Sequence, residues 1–319
     1  MRQAGRYLPE YRQVRQKFTD FMQFCLQPEI VTQVTLQPIE RFDFDAAIIF
    51  SDILIIPHAL GQTVKFLEGT GPVLASVAWP SFLQKARHHS ILPFLDPVFQ
   101  AIHLTRQALA PEKSLIGFVG SPWTLACYMM QQGKIKGERV GDFDSVFIES
   151  LLEVLQNHCV DFLKGQIQAG CDVVQIFDSW ASLVPAAQQG KYLWQPLHFI
   201  FHNLRKVYPH VPIIYYGRGV SEAYPILAAQ LPGISFGLDQ TVNPDWAAVH
   251  VQPFAPVQGN LDPEALVKGE FKTQVKKILD SLSAKPFVFN LGHGILPTTP
   301  LENVYQLIEQ IRHTEGTPF

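Results

Sequence analysis

The chain has 319 residues, 47% of them hydrophobic and 17% charged, with a formal net charge of -3 from 25 basic and 28 acidic residues. This composition supports a large packed core and excludes a disordered or collagen-like chain. The slight negative balance excludes a global positive field for nucleic acid or an anionic membrane surface, so an anionic ligand must be held by a local cluster of cations.

Strands are predicted where short, β-branched apolar runs end in Gly, Asp or Asn: at 46–50, 115–119, 173–177, 213–216, 235–238, 256–258 and 287–290. Helical spacing of apolar residues fills the intervals. At 147–169, Phe147, Leu151, Leu155, His158 and Phe162 share one face, and similar patterns run over 193–207 and 271–282. Alternating strand and helix predicts parallel β/α units. No linker, repeat or low-complexity tract divides the chain, so a single α/β barrel domain over residues 1–319 is expected. A (β/α)8 TIM-type barrel needs one strand more than these seven. Its natural place is before or at Met1, so the first strand reads as truncated at the N-terminus.

In a parallel barrel, positions just after the strands project at the C-terminal rim, where loops carry chemistry without disturbing the core. The rim candidates are Asp52, the stretch Ser121 to Tyr128, Asp178, Ser179, Asp239, Asn260, Asp262 and His293.

The opening Met1-Arg2-Gln3-Ala4-Gly5-Arg6-Tyr7-Leu8-Pro9-Glu10-Tyr11-Arg12 sets Arg2 and Arg6 four residues apart around a small pair that lets backbone approach a ligand closely. With Arg12 and Arg15 nearby, these planar cationic forks suit a polycarboxylate, and equally a phosphate. An exposed basic helix accounts for them if they stand alone. In Phe50-Ser51-Asp52-Ile53-Leu54 a carboxylate sits in an apolar frame, where burial is costly without hydrogen bonds or a cation. In Asn290-Leu291-Gly292-His293-Gly294, flanking glycines allow an unusual backbone that aims the imidazole into a pocket. Tyr128 and Ser179 are neutral donors, and each of these polar residues taken singly also has an ordinary structural reading. Neither a GxGxxG or GxxxxGK[ST] phosphate loop nor a G-x-S-x-G elbow is present, so nucleotide binding and serine hydrolysis have no support. Cys25, Cys127, Cys159 and Cys171 show neither C-x-x-C spacing nor histidine framing, and read as reduced, buried thiols rather than a metal site. The polar, Arg-rich start and the lack of any apolar run near the ~20 residues of a membrane helix point to a soluble, cytoplasmic protein.

Taken in order, Arg2-Gln3-Ala4-Gly5-Arg6-Tyr7-Leu8-Pro9-Glu10, Ala46 through Leu54, Gly120-Ser121-Pro122-Trp123-Thr124-Leu125, Gln258-Gly259-Asn260-Leu261-Asp262-Pro263 and Asn290 through Gly294 closely resemble the uroporphyrinogen decarboxylase family, over essentially the whole chain. The resemblance implies a (β/α)8 barrel, a homodimer, and four successive acetate-to-methyl decarboxylations of uroporphyrinogen III with no metal and no organic cofactor. It implies a substrate site of Arg2, Gln3, Ala4, Gly5, Arg6, Asp52, Tyr128, Ser179 and His293, with Asp52, Arg2 and Arg6 catalytic and Phe50 and Phe177 as apolar walls. Its partner is a small tetrapyrrole, not nucleic acid or membrane. Besides the start of the chain at the arginine motif itself, two departures from the family pattern are Gln240, where an aromatic is expected, and a short loop over 133–144. Two rival readings are a corrinoid or thiol methyltransferase, sharing the fold but requiring a His/Cys zinc site, and a non-catalytic porphyrin- or partner-binding remnant.

Overall fold

The computed structural model describes residues 5–67, 70–131 and 144–314. Its strands are β1 (Ala46–Ile48), β2 (Val64–Leu67), β3 (Gly71–Leu74), β4 (Ser114–Gly120), β5 (Val173–Asp178), β6 (Ile213–Gly217), β7 (Ile234–Gly237), β8 (Val257–Leu261) and β9 (Phe287–Leu291). Seven of them form one parallel sheet in the order β1-β4-β5-β6-β7-β8-β9, and β2 pairs with β3 in an antiparallel hairpin. The seven expected strands are all present; β1 is shorter than expected, and β8 runs on to Leu261. The hairpin was not expected.

A parallel sheet covered by helices is buried on both faces, and its strands read as continuous apolar runs rather than alternating ones. Accordingly Ile213, Ile214, Tyr215 and Tyr216 of β6 are all buried. The covering layer includes the helix Ser145–Ala169, whose buried side is built on Leu151, Leu155, Cys159, Phe162 and Leu163. His158 lies on that side too, with a ring nitrogen 2.9 Å from the Ala86 carbonyl oxygen. The helical stretch expected at 193–207 is a π turn, Gly190–Trp194, running into the helix Gln195–Arg205.

The sheet curls. Strands lie ~4.8 Å apart, so six intervals would separate β1 from β9 by about 29 Å in a flat sheet. Instead, residues that follow these two strands line one cavity. Side chains also meet across the interior: Tyr216 Oη donates to the Gly292 carbonyl at 3.0 Å, and Gln258 Nε2 donates to Gln175 Oε1 at 3.5 Å.

Among the described residues, no strand pairing joins β1 to β9. The N-terminal helices and the C-terminal helix Leu301–Thr314 bridge that seam by side chains. Arg12 donates to the Pro297 carbonyl at 2.7 Å, Arg41 grips Glu10 through two bonds of 2.7 and 2.9 Å and reaches Tyr305 Oη at 3.5 Å, and the Phe42 and Tyr305 rings pack 4.9 Å apart. No helix among the described residues is long and apolar enough to cross a membrane.

Behind the C-terminal rim lies a buried polar cluster. Thr124 Oγ1 donates to Asp178 Oδ1 at 2.7 Å, and Tyr215 Oη donates to Asp178 Oδ2 at 3.0 Å. Burial pushes the Asp178 carboxyl up to about 6, against the pull of the Ser121, Thr124 and Tyr215 hydroxyls. Unfolded, an Asp titrates near 3.9. Between those values the folded chain binds more protons than the unfolded one, so this group removes stability as pH rises from about 4 to about 6, by roughly 3 kcal/mol in full, and changes nothing further above that. Asp178→Asn abolishes this slope. In urea unfolding at pH 4 to 6.5, the stability of the variant relative to the parent is expected to rise with pH over that window and then level off.

Candidate active site

A cavity of about 280 Å³ opens at the C-terminal ends of the strands, lined by residues from β1, β4 and β5, the segment after β9, the N-terminal stretch and the β2–β3 hairpin. Its polar lining includes Arg6, Asp52, Tyr128, Ser179 and His293. These five are up to 287 positions apart in sequence, since Arg6 and His293 are the extremes. The four from Asp52 onward are half-buried, and Arg6 is exposed.

Each is held by local chemistry. Asp52 follows β1 and folds back so that Oδ1 accepts the Leu54 N–H at 2.8 Å, a turn that leads into the helix Ile55–Ala59. Burial raises its carboxyl above the usual carboxylate range, while the Leu54 N–H and the Arg6 guanidinium pull it down. Tyr128 stands on the helix Pro122–Met130, whose N-terminus is capped by Ser121 Oγ accepting the Thr124 N–H at 3.0 Å. Burial pushes the Tyr128 hydroxyl up, and the nearby Asp52 carboxylate adds to the rise. Ser179 follows β5 directly, and the next residue, Trp180, sets its indole edge-on to the Tyr128 ring at 6.1 Å. The His293 imidazole lies 6.3 Å from the Tyr216 ring.

The glycines act differently from the sequence expectation. Gly292 and Gly294 are not among the residues with positive φ. What Gly292 provides is space: a Cβ there would sit 2.3 Å from the Gln240 backbone nitrogen. Gly5, by contrast, has φ of 31° and starts the turn into the helix Pro9–Arg15, its carbonyl accepting the Leu8 N–H at 2.7 Å. It does not line the cavity. Arg2, Gln3 and Ala4 lie outside the described residues.

Several rim candidates serve as fasteners. Asp239 Oδ1 accepts from Thr241 and its Oδ2 accepts the Gly219 N–H at 2.8 Å; Asn260 Nδ2 donates to the Asp239 and Val242 carbonyls; Asp262 caps the helix Pro263–Lys268. Asp239 and Asn260 tie neighbouring loops together, Asp262 starts its own helix, and none of the three lines the cavity. Arg12 is committed to Pro297, and Arg15 donates to the Phe18 carbonyl with its guanidinium 5.5 Å over the Phe21 ring. Gln240, the departure from an aromatic, has a buried Oε1 with no hydrogen-bond partner. Of the short loop at 133–144, residues 133–143 lie outside the described residues, and Asp144 precedes the helix Ser145–Ala169.

Phe50 and Phe177 form apolar walls as anticipated, joined by Phe118. Sequence reasoning missed Phe21, Phe66 and Pro72, which line the cavity from outside the barrel strands. The Phe21 and Phe66 rings lie 4.4 Å apart. A signal for the hairpin was present, since Leu67-Glu68-Gly69-Thr70-Gly71 places two glycines between short apolar runs.

The arrangement can hold a ligand with flat apolar faces and anionic edges: aromatic walls, a carboxylate deep enough to meet positive charge, and a guanidinium at the exposed side. Among the described residues, no three His, Cys, Asp or Glu side chains gather as a metal site.

Comparison with known proteins gives the same family as the motifs. The family model described as uroporphyrinogen decarboxylase (URO-D) matches residues 1–314. The chain is 40% identical over 323 residues to the uroporphyrinogen decarboxylase of Rhodospirillum rubrum, covering 98% of this chain and 91% of that one. It is 42% identical over 320 residues to that of Mesorhizobium japonicum, covering 98% and 92%. Among solved structures, a methyltransferase from Methanosarcina mazei superposes with a TM-score of 0.77 at 18% identity, over 96% of this chain and 90% of that one. A B12-independent methionine synthase from Shewanella sp. W3-18-1 gives 0.56 at 12% identity, over 89% and 87%. At such identities the structural likeness speaks for the fold alone. With the family model spanning nearly the whole chain and relatives near 40% identity, the chain belongs to the uroporphyrinogen decarboxylase family.

Proposed function

We propose that the chain, as a single domain over residues 1–319, decarboxylates the four acetate side chains of uroporphyrinogen III in turn, giving coproporphyrinogen III. The observation that carries the reading is the convergence of Arg6, Asp52, Tyr128, Ser179 and His293 on one aromatic-walled cavity. A homodimer in the cytoplasm is part of the proposal and rests on the family resemblance.

The substrate is its own electron sink. Protonation of the pyrrole carbon beside the acetate-bearing one makes the ring cationic. The CH2–CO2 bond then breaks, and its electron pair forms an exocyclic double bond that neutralises the ring. A proton added to that methylene gives the methyl group as the ring carbon releases the first. Each cycle takes up one proton per CO2 released and needs no external electron acceptor.

An ionised Asp52 accepts the pyrrole N–H groups at the macrocycle centre and stabilises the developing cation, the preorganised electrostatic contribution that dominates many enzymes. Arg6 binds and orients a carboxylate at the open side; a guanidinium is too weak an acid to serve readily as a proton donor. Arg2 carries the same proposed role. Gln3, Ala4 and Gly5 are proposed to complete the arginine-bearing edge, and Tyr128, Ser179 and His293 to hold the substrate's periphery.

Anaerobic incubation with uroporphyrinogen III, with products resolved from eight to four carboxylates, tests the reading: the four-carboxylate product is expected to accumulate. Asp52→Asn replaces a costly buried charge by a neutral group of similar shape, so folding is expected to persist while kcat falls about 10²-fold or more. Near-parent turnover of the folded variant would overturn the role of Asp52. Arg6→Gln is expected to raise KM about tenfold. It also removes a cation that holds the Asp52 carboxyl down. Activity needs that group ionised and is lost as pH falls through its pKa, so the acid limb of kcat/KM in Arg6→Gln should move to higher pH than in the parent.

A further inference from the structure

Two polar residues of the cavity, Tyr128 and Ser179, stand on different elements, and the buried cluster behind the wall joins those elements. Thr124 lies one turn before Tyr128 on the helix Pro122–Met130. Its hydroxyl donates to Asp178 Oδ1 at 2.7 Å and accepts the Trp180 N–H at 3.2 Å. Asp178 and Trp180 are the two residues that flank Ser179. The Trp180 carbonyl is held from the same helix, accepting Trp123 Nε1–H at 3.0 Å, and the Ser121 N–H donates to the Phe177 carbonyl at 2.8 Å. Four bonds therefore lock residues 177–180 against the first turn of one helix.

Thr124 and Asp178 are 0% and 1% exposed, and neither lines the cavity. They touch no substrate there. Resting on the functional reading above, we propose that Thr124 and Asp178 are positioning residues of the decarboxylation, which fix the Ser179 hydroxyl against the substrate's periphery.

The chemistry of the cluster favours this over simple packing. A threonine hydroxyl has one proton and rotates freely unless that proton is committed. Donation to Asp178 commits it, and an oxygen lone pair then faces the Trp180 N–H. Tyr215 occupies the other carboxylate oxygen at 3.0 Å, so the carboxylate is itself fixed from β6. No ion pair among the described residues includes Asp178. An unpaired buried carboxylate is a poor way to gain stability, and apolar groups of the same shape would serve packing better. What it supplies is orientation, and contacts misplaced by about 1 Å can weaken catalysis by about 10²-fold.

The test is a double-mutant cycle between Thr124→Val and Ser179→Ala, read as KM and kcat for uroporphyrinogen III, as Kd for coproporphyrin III by fluorescence, and as Tm. Thr124→Val alone is expected to raise KM and Kd about three- to tenfold with a smaller change in kcat, and Thr124→Ser, which keeps the hydroxyl, is expected to restore most of the affinity. In the Ser179→Ala background, Thr124→Val is expected to add less than about twofold, because the group it positions is gone. If Thr124→Val does not fold, Asp178→Asn takes its place in the same cycle with the same expectation. Full, additive losses in the Ser179→Ala background, or no change in KM and Kd on losing the hydroxyl, overturn the positioning role while leaving the enzyme reading intact. A parent chain that neither converts uroporphyrinogen III nor binds coproporphyrin III overturns the functional reading, and this inference with it.

Discussion

A carboxylate kept inside an apolar cavity is the constraint around which the site is arranged. Asp52 is held above the ordinary carboxylate range by burial, and the groups that favour its charge are the Leu54 N–H and the Arg6 guanidinium. Aromatic walls lower the local polarity and so strengthen the electrostatic interactions inside them. They also suit the flat face of a macrocycle whose centre presents N–H donors. The same surroundings that make an ionised Asp52 costly make it a strong partner for a cation that forms against it.

Structure and function separate cleanly at the barrel. The solved methyltransferase and methionine synthase share this chain's fold at 18% and 12% identity. The strands provide only a rim, and the chemistry belongs to the groups planted there. Here the described part of the cavity is lined by the Arg6 guanidinium, the Asp52 carboxylate, the Tyr128 and Ser179 hydroxyls and the His293 imidazole, and among the described residues no metal-ligating triad gathers.

Much of this was legible in the sequence because the signals were local. Continuous apolar runs such as Ile213-Ile214-Tyr215-Tyr216 are what a sheet buried on both faces requires, and all seven strands could be read from them. Asp52, Tyr128, Ser179 and His293 could be placed at the rim because each follows a strand or stands in the helix after one. Long-range approach was less legible. The need for a glycine at 292 comes from the Gln240 backbone, 52 positions away, and reads in sequence as backbone freedom rather than contact. Asp239 and Asn260 resemble site residues until their partners are seen to be neighbouring loops. Phe21 and Phe66 reach the cavity from outside the sheet, so no count of strands points to them.

The seam between β1 and β9 has a mechanical consequence. One side of the cavity hangs from β1 through Asp52 and the other from β9 through His293, and among the described residues the two strands share no ladder. Every other neighbouring pair in the sheet is tied by backbone hydrogen bonds, so widening the cavity elsewhere would break a strand pairing. Widening it at the seam strains side-chain contacts such as Arg12 to Pro297 and Arg41 to Tyr305. At about 280 Å³ the cavity lies just below the ~300–1,000 Å³ common for ligand sites, and an eight-carboxylate macrocycle belongs at the large end of that range. Among the described residues, the carboxylate side and the imidazole side of the cavity are thus held together by side-chain contacts rather than by a backbone ladder, so the spacing of those two walls depends on residues such as Arg12, Arg41 and Tyr305.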